Sequence, residues 1–236
     1  MVPDPKNATI NNMTIPNDMM TSGENTSIKK RGKFIVIEGG EGAGKSSQLK
    51  SIKEIYGDKV IVTREPGGTP FAEEIRHLML KSEHAGQADA KTQFALIWAA
   101  RADHLKNKII PALESGINVI SDRFDSSTYA YQIYGQDGEE LEDLFWKIRD
   151  FYLGDIKPDI YMYLDVTAEE GLRRKSFQGI DENNHFDNRK TDFHNKVREA
   201  YMSFIKKVPS MVIDANPSKD EVRKKLVESI DKILGE

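Results

Sequence analysis

The stretch FIVIEGGEGAGKSSQLKS, residues 34–51, decides the fold. An apolar, β-branched run gives way to Gly39, Gly40, Glu41, Gly42, Ala43 and Gly44, and these are followed at once by Lys45, Ser46 and Ser47. The pattern G-x-x-x-x-G-K-[ST] between a strand-like and a helix-like segment is a phosphate-binding loop, or P-loop. Such a loop turns backbone N–H groups inward, and the helix that follows adds its positive end, so the concavity suits a phosphate chain. Lys45 would reach the β- and γ-phosphates of a bound nucleotide, and the Ser46 hydroxyl would ligand a magnesium ion bridging them.

At 236 residues the chain accommodates one α/β domain with a sizeable core. Lys and Arg total 34 against 38 Asp and Glu, and a net charge of -4 leaves no electrostatic footprint for nucleic acid or a membrane surface. The absence of cysteine excludes disulfides, thiolate metal sites and a cysteine nucleophile, and fits a cytoplasmic setting. No apolar run is long enough to span a bilayer. Residues 1–31 are rich in Asn, Thr, Pro and Met, with no apolar periodicity, and read as a disordered tail. They lack the apolar segment of a signal peptide.

From residue 32 onward strand-like runs alternate with helix-like stretches, which predicts a five-stranded parallel sheet with helices on both faces. The expected strands are 34–38, 60–63, 118–121, 160–165 and 211–213. The expected helices are near 45–56, 70–81, 88–114, 125–134, 139–153, 167–177, 187–206 and 218–233. Ligands in such folds gather beyond the carboxyl ends of the strands. The strand in GINVISDRF ends at Asp122, which would hold the magnesium ion through water, while Arg123 could pair with a second phosphate. A regulatory GTPase would need D-x-x-G and N-K-x-D, and neither pattern occurs. A small kinase needs an arginine-built second phosphate pocket, a base reader and a cationic lid, and all three have candidates.

The segments IEGGEGAGKSS, VTREPGGTPFAEEIR, IWAARADHLKNKIIPALESG and VISDRFDSSTYAYQ, in this order and spacing, resemble the thymidylate kinase family. The resemblance covers residues 33–234 and implies a P-loop kinase fold with a short lid at 173–190. It also implies that Glu41 faces the acceptor sugar's 3′-hydroxyl or the metal, and that Arg101 hydrogen-bonds the thymine carbonyl. Arg123 would bind the acceptor phosphate. Ser127 and Thr128 would line the thymine pocket, with Tyr131 and Gln132 beside sugar and base. Glu65 and Pro66 would form the turn under the acceptor phosphate, with Arg64 either binding that phosphate or bracing the turn.

Two positions depart from the family pattern. Four residues before Arg101 the family usually carries a stacking phenylalanine; here it is Ile97, so either Trp98 swings in to stack or an aliphatic floor replaces the ring. One branch of the family places a catalytic arginine inside the P-loop, but the residue after Glu41 is Gly42, so the chain resembles the branch that supplies the cation from the lid. The lid cations are Arg173, Arg174, Lys175 and Arg189; position favours Arg174 or Arg173, with Arg189 in reserve. The five histidines read as structural or surface residues.

The resemblance implies magnesium-dependent transfer of the ATP γ-phosphoryl group to dTMP by a homodimer, with helices 88–114 and 125–153 as candidate interfaces. The alternatives are a kinase for another nucleoside monophosphate and a nucleotide-binding protein without kinase activity.

Overall fold

The computed structural model describes residues 30–176, 186 and 189–235. The expected tail therefore lies outside the described residues, except for Lys30 and Arg31. The Arg31 guanidinium already belongs to the folded body, donating to Asp159 at 2.9 Å. Most of the expected lid, 177–185 and 187–188, also lies outside them.

Five strands form one parallel sheet in the order β2-β3-β1-β4-β5: β1 (Phe34–Gly39), β2 (Val60–Arg64), β3 (Asn118–Asp122), β4 (Ile160–Asp165) and β5 (Ser210–Asp214). All five match the expected runs to within one residue at either end. The period of two divides β1 between two cores. Ile35 and Ile37 face a cluster built with α1 (Lys45–Tyr56) and α9 (Lys219–Leu234). Phe34 and Val36 face the other cluster, with side chains from α3 (Ala90–His104), α6 (Glu142–Leu153) and α8 (Thr191–Phe204). With both faces covered, the inner strands are apolar nearly throughout, as a parallel sheet requires.

α2 (Pro70–Leu80) begins with Thr69 capping the Ala72 amide and packs on α3 through Ile75, Met79, Ile97 and Ala100. Two of the expected helices are not uniform. The α3 segment continues through a π-turn at Leu105–Ile109 into α4 (Ile110–Glu114), and α5 (Asp125–Thr128) opens into a π-turn at Tyr129–Gly135. The wider second turn brings the adjacent side chains Tyr131 and Gln132 to one cavity wall. α7 (Ala168–Ser176) follows β4.

The sheet order changes direction at β1, whose neighbours β3 and β4 lead to opposite edges. A crevice opens beyond the carboxyl ends of β1 and β3 at such a switch point.

Candidate active site

The loop after β1 turns through left-handed backbone at Gly42 (φ 70°) and Gly44 (φ 86°), conformations that glycine adopts without strain. Lys45 is buried and its ammonium folds back over the loop, donating to the carbonyls of Gly39 at 2.8 Å and Gly40 at 3.2 Å. Burial, and then Arg123 nearby, push its pKa down.

A cavity of about 490 Å³ opens in front of this loop. Of the residues expected from sequence, Glu41, Lys45, Ser46, Arg64, Glu65, Pro66, Asp122, Arg123, Ser127, Tyr131 and Gln132 line it. The donor-side loop and the expected acceptor residues thus share one space.

Arg123 sits just past β3 in left-handed backbone (φ 65°), a conformation uncommon outside glycine and retained here by four contacts. Its guanidinium donates to Glu41 at 3.0 Å, the Tyr201 hydroxyl at 3.0 Å, Ser127 Oγ at 3.3 Å and the Gly39 carbonyl at 3.3 Å. Burial alone would raise the Glu41 carboxyl; Arg123, Lys45 and Lys175 reverse this and hold it well below the usual carboxylate range.

Four residues enter the site that sequence reasoning gave no role. Glu38 follows Val36 by two and so points to the α8 side of β1, where it is fully buried. It accepts from Ser126 Oγ at 2.6 Å, Ser127 Oγ at 3.0 Å, the Tyr201 hydroxyl at 2.9 Å and the Phe124 amide at 3.0 Å. Burial pushes its pKa up, opposed by Arg123 and these donors. A lone acid in FIVIEG was the available signal. Arg76 lines the cavity from α2 and donates to the Pro66 carbonyl at 2.9 Å. Burial lowers its pKa, and its neighbours Arg64 and Arg123 add to this against Glu73. Tyr201 had no signal at all, and Lys175 was one of four lid cations without an assigned part.

Arg101 and Thr128 stand behind the wall. Arg101 donates to Glu65 Oε2 at 2.7 Å and to Thr128 Oγ1 at 3.1 Å, between the rings of Trp98 and Phe124. Its Nη1 is buried with no partner among the described residues. On the other oxygen of Glu65 lies His104 Nδ1 at 3.0 Å, and the opposite ring nitrogen is 2.7 Å from Thr63 Oγ1. A carboxylate only accepts, so Nδ1 is the donor to Glu65, and the other ring nitrogen shares a hydrogen bond with the threonine hydroxyl.

Trp98 is not available to stack on a base. Neighbouring helical positions diverge by about 100°, so α3 can aim only one of residues 97 and 98 into the cavity. Ile97 lines it, while Trp98 is buried, stacked on Tyr152 with centroids 5.7 Å apart. Ile97 forms an aliphatic floor with Met79 and Leu80, and Phe186 lines the cavity against the Tyr131 ring.

The expected lid arginines are not brought to the cavity. Arg173 is mostly exposed and forms a two-pronged ion pair with Glu170. Arg174 donates to Glu170 and to the carbonyls of Ala215 at 2.7 Å and Asn216 at 2.9 Å, beyond β5. Arg189 is exposed, its guanidinium 5.7 Å from the Phe193 ring.

For the magnesium ion the donor set fits. Asp122 has a buried carboxylate oxygen without a partner among the described residues, and Ser46 lines the same cavity. Among the described residues no cluster of three or more His, Asp or Glu could hold a metal. Magnesium commonly takes only one or two protein oxygens and completes its shell with phosphate and water.

A phosphate loop facing an arginine-lined subsite across one cavity, on this sheet order, defines a P-loop kinase. The thymidylate kinase family model matches residues 37–226. A thymidylate kinase of Nitrosospira multiformis is 40% identical over 205 residues, covering 85% of this chain and 97% of that protein. The crystal structure of thymidylate kinase from Ehrlichia chaffeensis superposes with a TM-score of 0.66 at 28% identity, covering 85% of this chain and 99% of that one. The chain belongs to the thymidylate kinase family.

Proposed function

We propose that the protein transfers the γ-phosphoryl group of ATP to dTMP, giving dTDP and ADP, as a cytoplasmic enzyme. The observation that carries this reading is the single cavity in which the Lys45 loop faces Arg64, Arg76 and Arg123, with the unpartnered oxygen of Asp122 there as well. Family membership directs the acceptor to dTMP. In the reaction the bond from the γ-phosphorus to the β–γ bridging oxygen breaks with its electrons left on ADP, and an oxygen of the acceptor phosphate forms the new bond. That oxygen is already ionised at neutral pH, so no general base is needed and catalysis is positioning plus charge stabilisation.

The P-loop amides and Lys45 hold the donor phosphates, and Arg123, with Arg76 and Arg64, orients the acceptor phosphate. Tyr131 and Gln132 take the sugar and base side, Glu41 bridges Arg123 and Tyr131 at its edge, and Arg101, held by Glu65, would donate to the thymine carbonyl. Asp122 and Ser46 would hold the magnesium ion, which when bound neutralises charge on the nucleotide phosphates.

The test is an ADP-release assay with ATP, magnesium and each deoxynucleoside monophosphate. Preferred turnover of dTMP, lost in Lys45→Ala, is the expected result. Preference for another monophosphate would move the acceptor, as Ile97 leaves open; binding of ATP without turnover would make the protein a nucleotide sensor instead.

A further inference from the structure

We propose that Lys175, and neither Arg173 nor Arg174, is the cation that reaches the phosphoryl group in flight. The inference rests on the kinase reading above and supplies the part it lacks.

Three successive basic residues on α7 are separated by about 100° each, so they address three different surroundings. Arg173 faces outward to Glu170, and Arg174 is committed to the backbone beyond β5. Lys175 alone of the three lines the cavity, together with Lys45, Ser46, Asp122 and Arg123. Its ammonium donates to Glu41 Oε2 at 3.0 Å, and the other oxygen of that carboxylate takes Arg123 at 3.0 Å and the Tyr131 hydroxyl at 3.1 Å.

The position of Lys175 is built. Gly171 precedes it by four residues and shares its helix face. That face lies backbone to backbone on the phosphate loop: a Cβ at Gly171 would overlap the Glu41 carbonyl, and a Cβ at Gly42 would overlap the carbonyl of Gly171. The helix carrying Lys175 is therefore docked against the loop that carries the donor phosphates.

Glu41 lies where the two subsites meet, bonded to Arg123 on the acceptor side and within electrostatic reach of Lys45 on the donor side. A transferring phosphoryl group must cross this place. Its oxygens would present Lys175 with the same kind of acceptor that the Glu41 carboxylate presents. An ammonium is a compact charge with three rotatable donors and can turn from carboxylate to phosphoryl oxygen without moving its helix. No proton leaves it; it stabilises charge only.

The competing description is a brace, in which Lys175 merely steadies Glu41. Steady-state kinetics on the full chain, with magnesium, ATP and dTMP, separate the two for Lys175→Met and Lys175→Arg. If Lys175 acts on the transferring group, Lys175→Met lowers kcat about 10²–10³-fold, the range for removing one donor to a transition state. KM for both substrates then moves less than about threefold, and Lys175→Arg recovers at least about a tenth of the lost rate. Thermal unfolding of each variant checks the fold. Lys175→Met with kcat within about threefold of the parent, or with its loss confined to KM, overturns the proposal and leaves the kinase reading intact. Should the parent prefer another monophosphate, the same comparison is made with it; no turnover with any monophosphate overturns both.

Discussion

The base-reading role proposed for Arg101 rests on one buried side chain. Its guanidinium is buried, its Nε and Nη2 are taken by Glu65 and Thr128, and its Nη1 has no partner among the described residues. A buried donor left unpaired costs free energy, and in the proposed function the thymine carbonyl would pair this one. Arg101→Lys keeps a charge but gives up the fixed fork. It is expected to lower kcat/KM for dTMP about 10- to 100-fold, the equivalent of ~1.5–3 kcal/mol for a hydrogen bond to a charged group. The ratio of dTMP to dCMP turnover should fall with it; an unchanged ratio would mean that Arg101 only supports Glu65. At this scale the sequence was legible where spacing dictates chemistry: Lys45, Ser46, Asp122 and Arg123 follow strand ends and can point nowhere else. Glu38 and Tyr201 were not, because the acid's partners arrive from 88 and 163 residues away. No local pattern encodes such a meeting.

At the level of elements, the inner strands were readable because each is a run buried on both faces, and the helices because their periodicity survives. What the pattern did not encode is how a helix is rotated about its axis. The choice between Ile97 and Trp98 depends on α3 packing Trp98 against Tyr152 of α6, and a one-residue rotation would have reversed it. The π-turn at 129–135 was equally invisible, since its side chains read as ordinary helix. α6 carries a second message on its outer face. Leu144 and Phe151 are two turns apart on one stripe, and Phe151 is 80% exposed. Aligned in this way, these side chains are a candidate interaction surface. The homodimer implied by the family resemblance would cover this stripe. Light scattering is expected to give about twice the chain mass of 26.7 kDa, and Phe151→Asp to return it to one. A parent protein that scatters as a monomer at assay concentration would refute the assignment.

Across the whole molecule, the order β2-β3-β1-β4-β5 gathers the ends of β1, β2 and β3 around one cavity, while α7 arrives from the far side of β1 after β4. The contact between Gly42 and Gly171 joins those two halves, and it ties together two positions 129 residues apart. While the helix is docked, no side chain fits at 42; once 42 bears a side chain, the helix must withdraw and take Lys175 with it. A side chain at 42 and a docked helix are therefore mutually exclusive states. Gly42→Ala, the smallest such step, is expected to lose kcat in company with Lys175→Met rather than independently of it, so that the double variant is hardly worse than either alone. Additive losses in that double-mutant cycle would uncouple the two positions; coupling would mean that the bare loop and its distant lysine act as one unit.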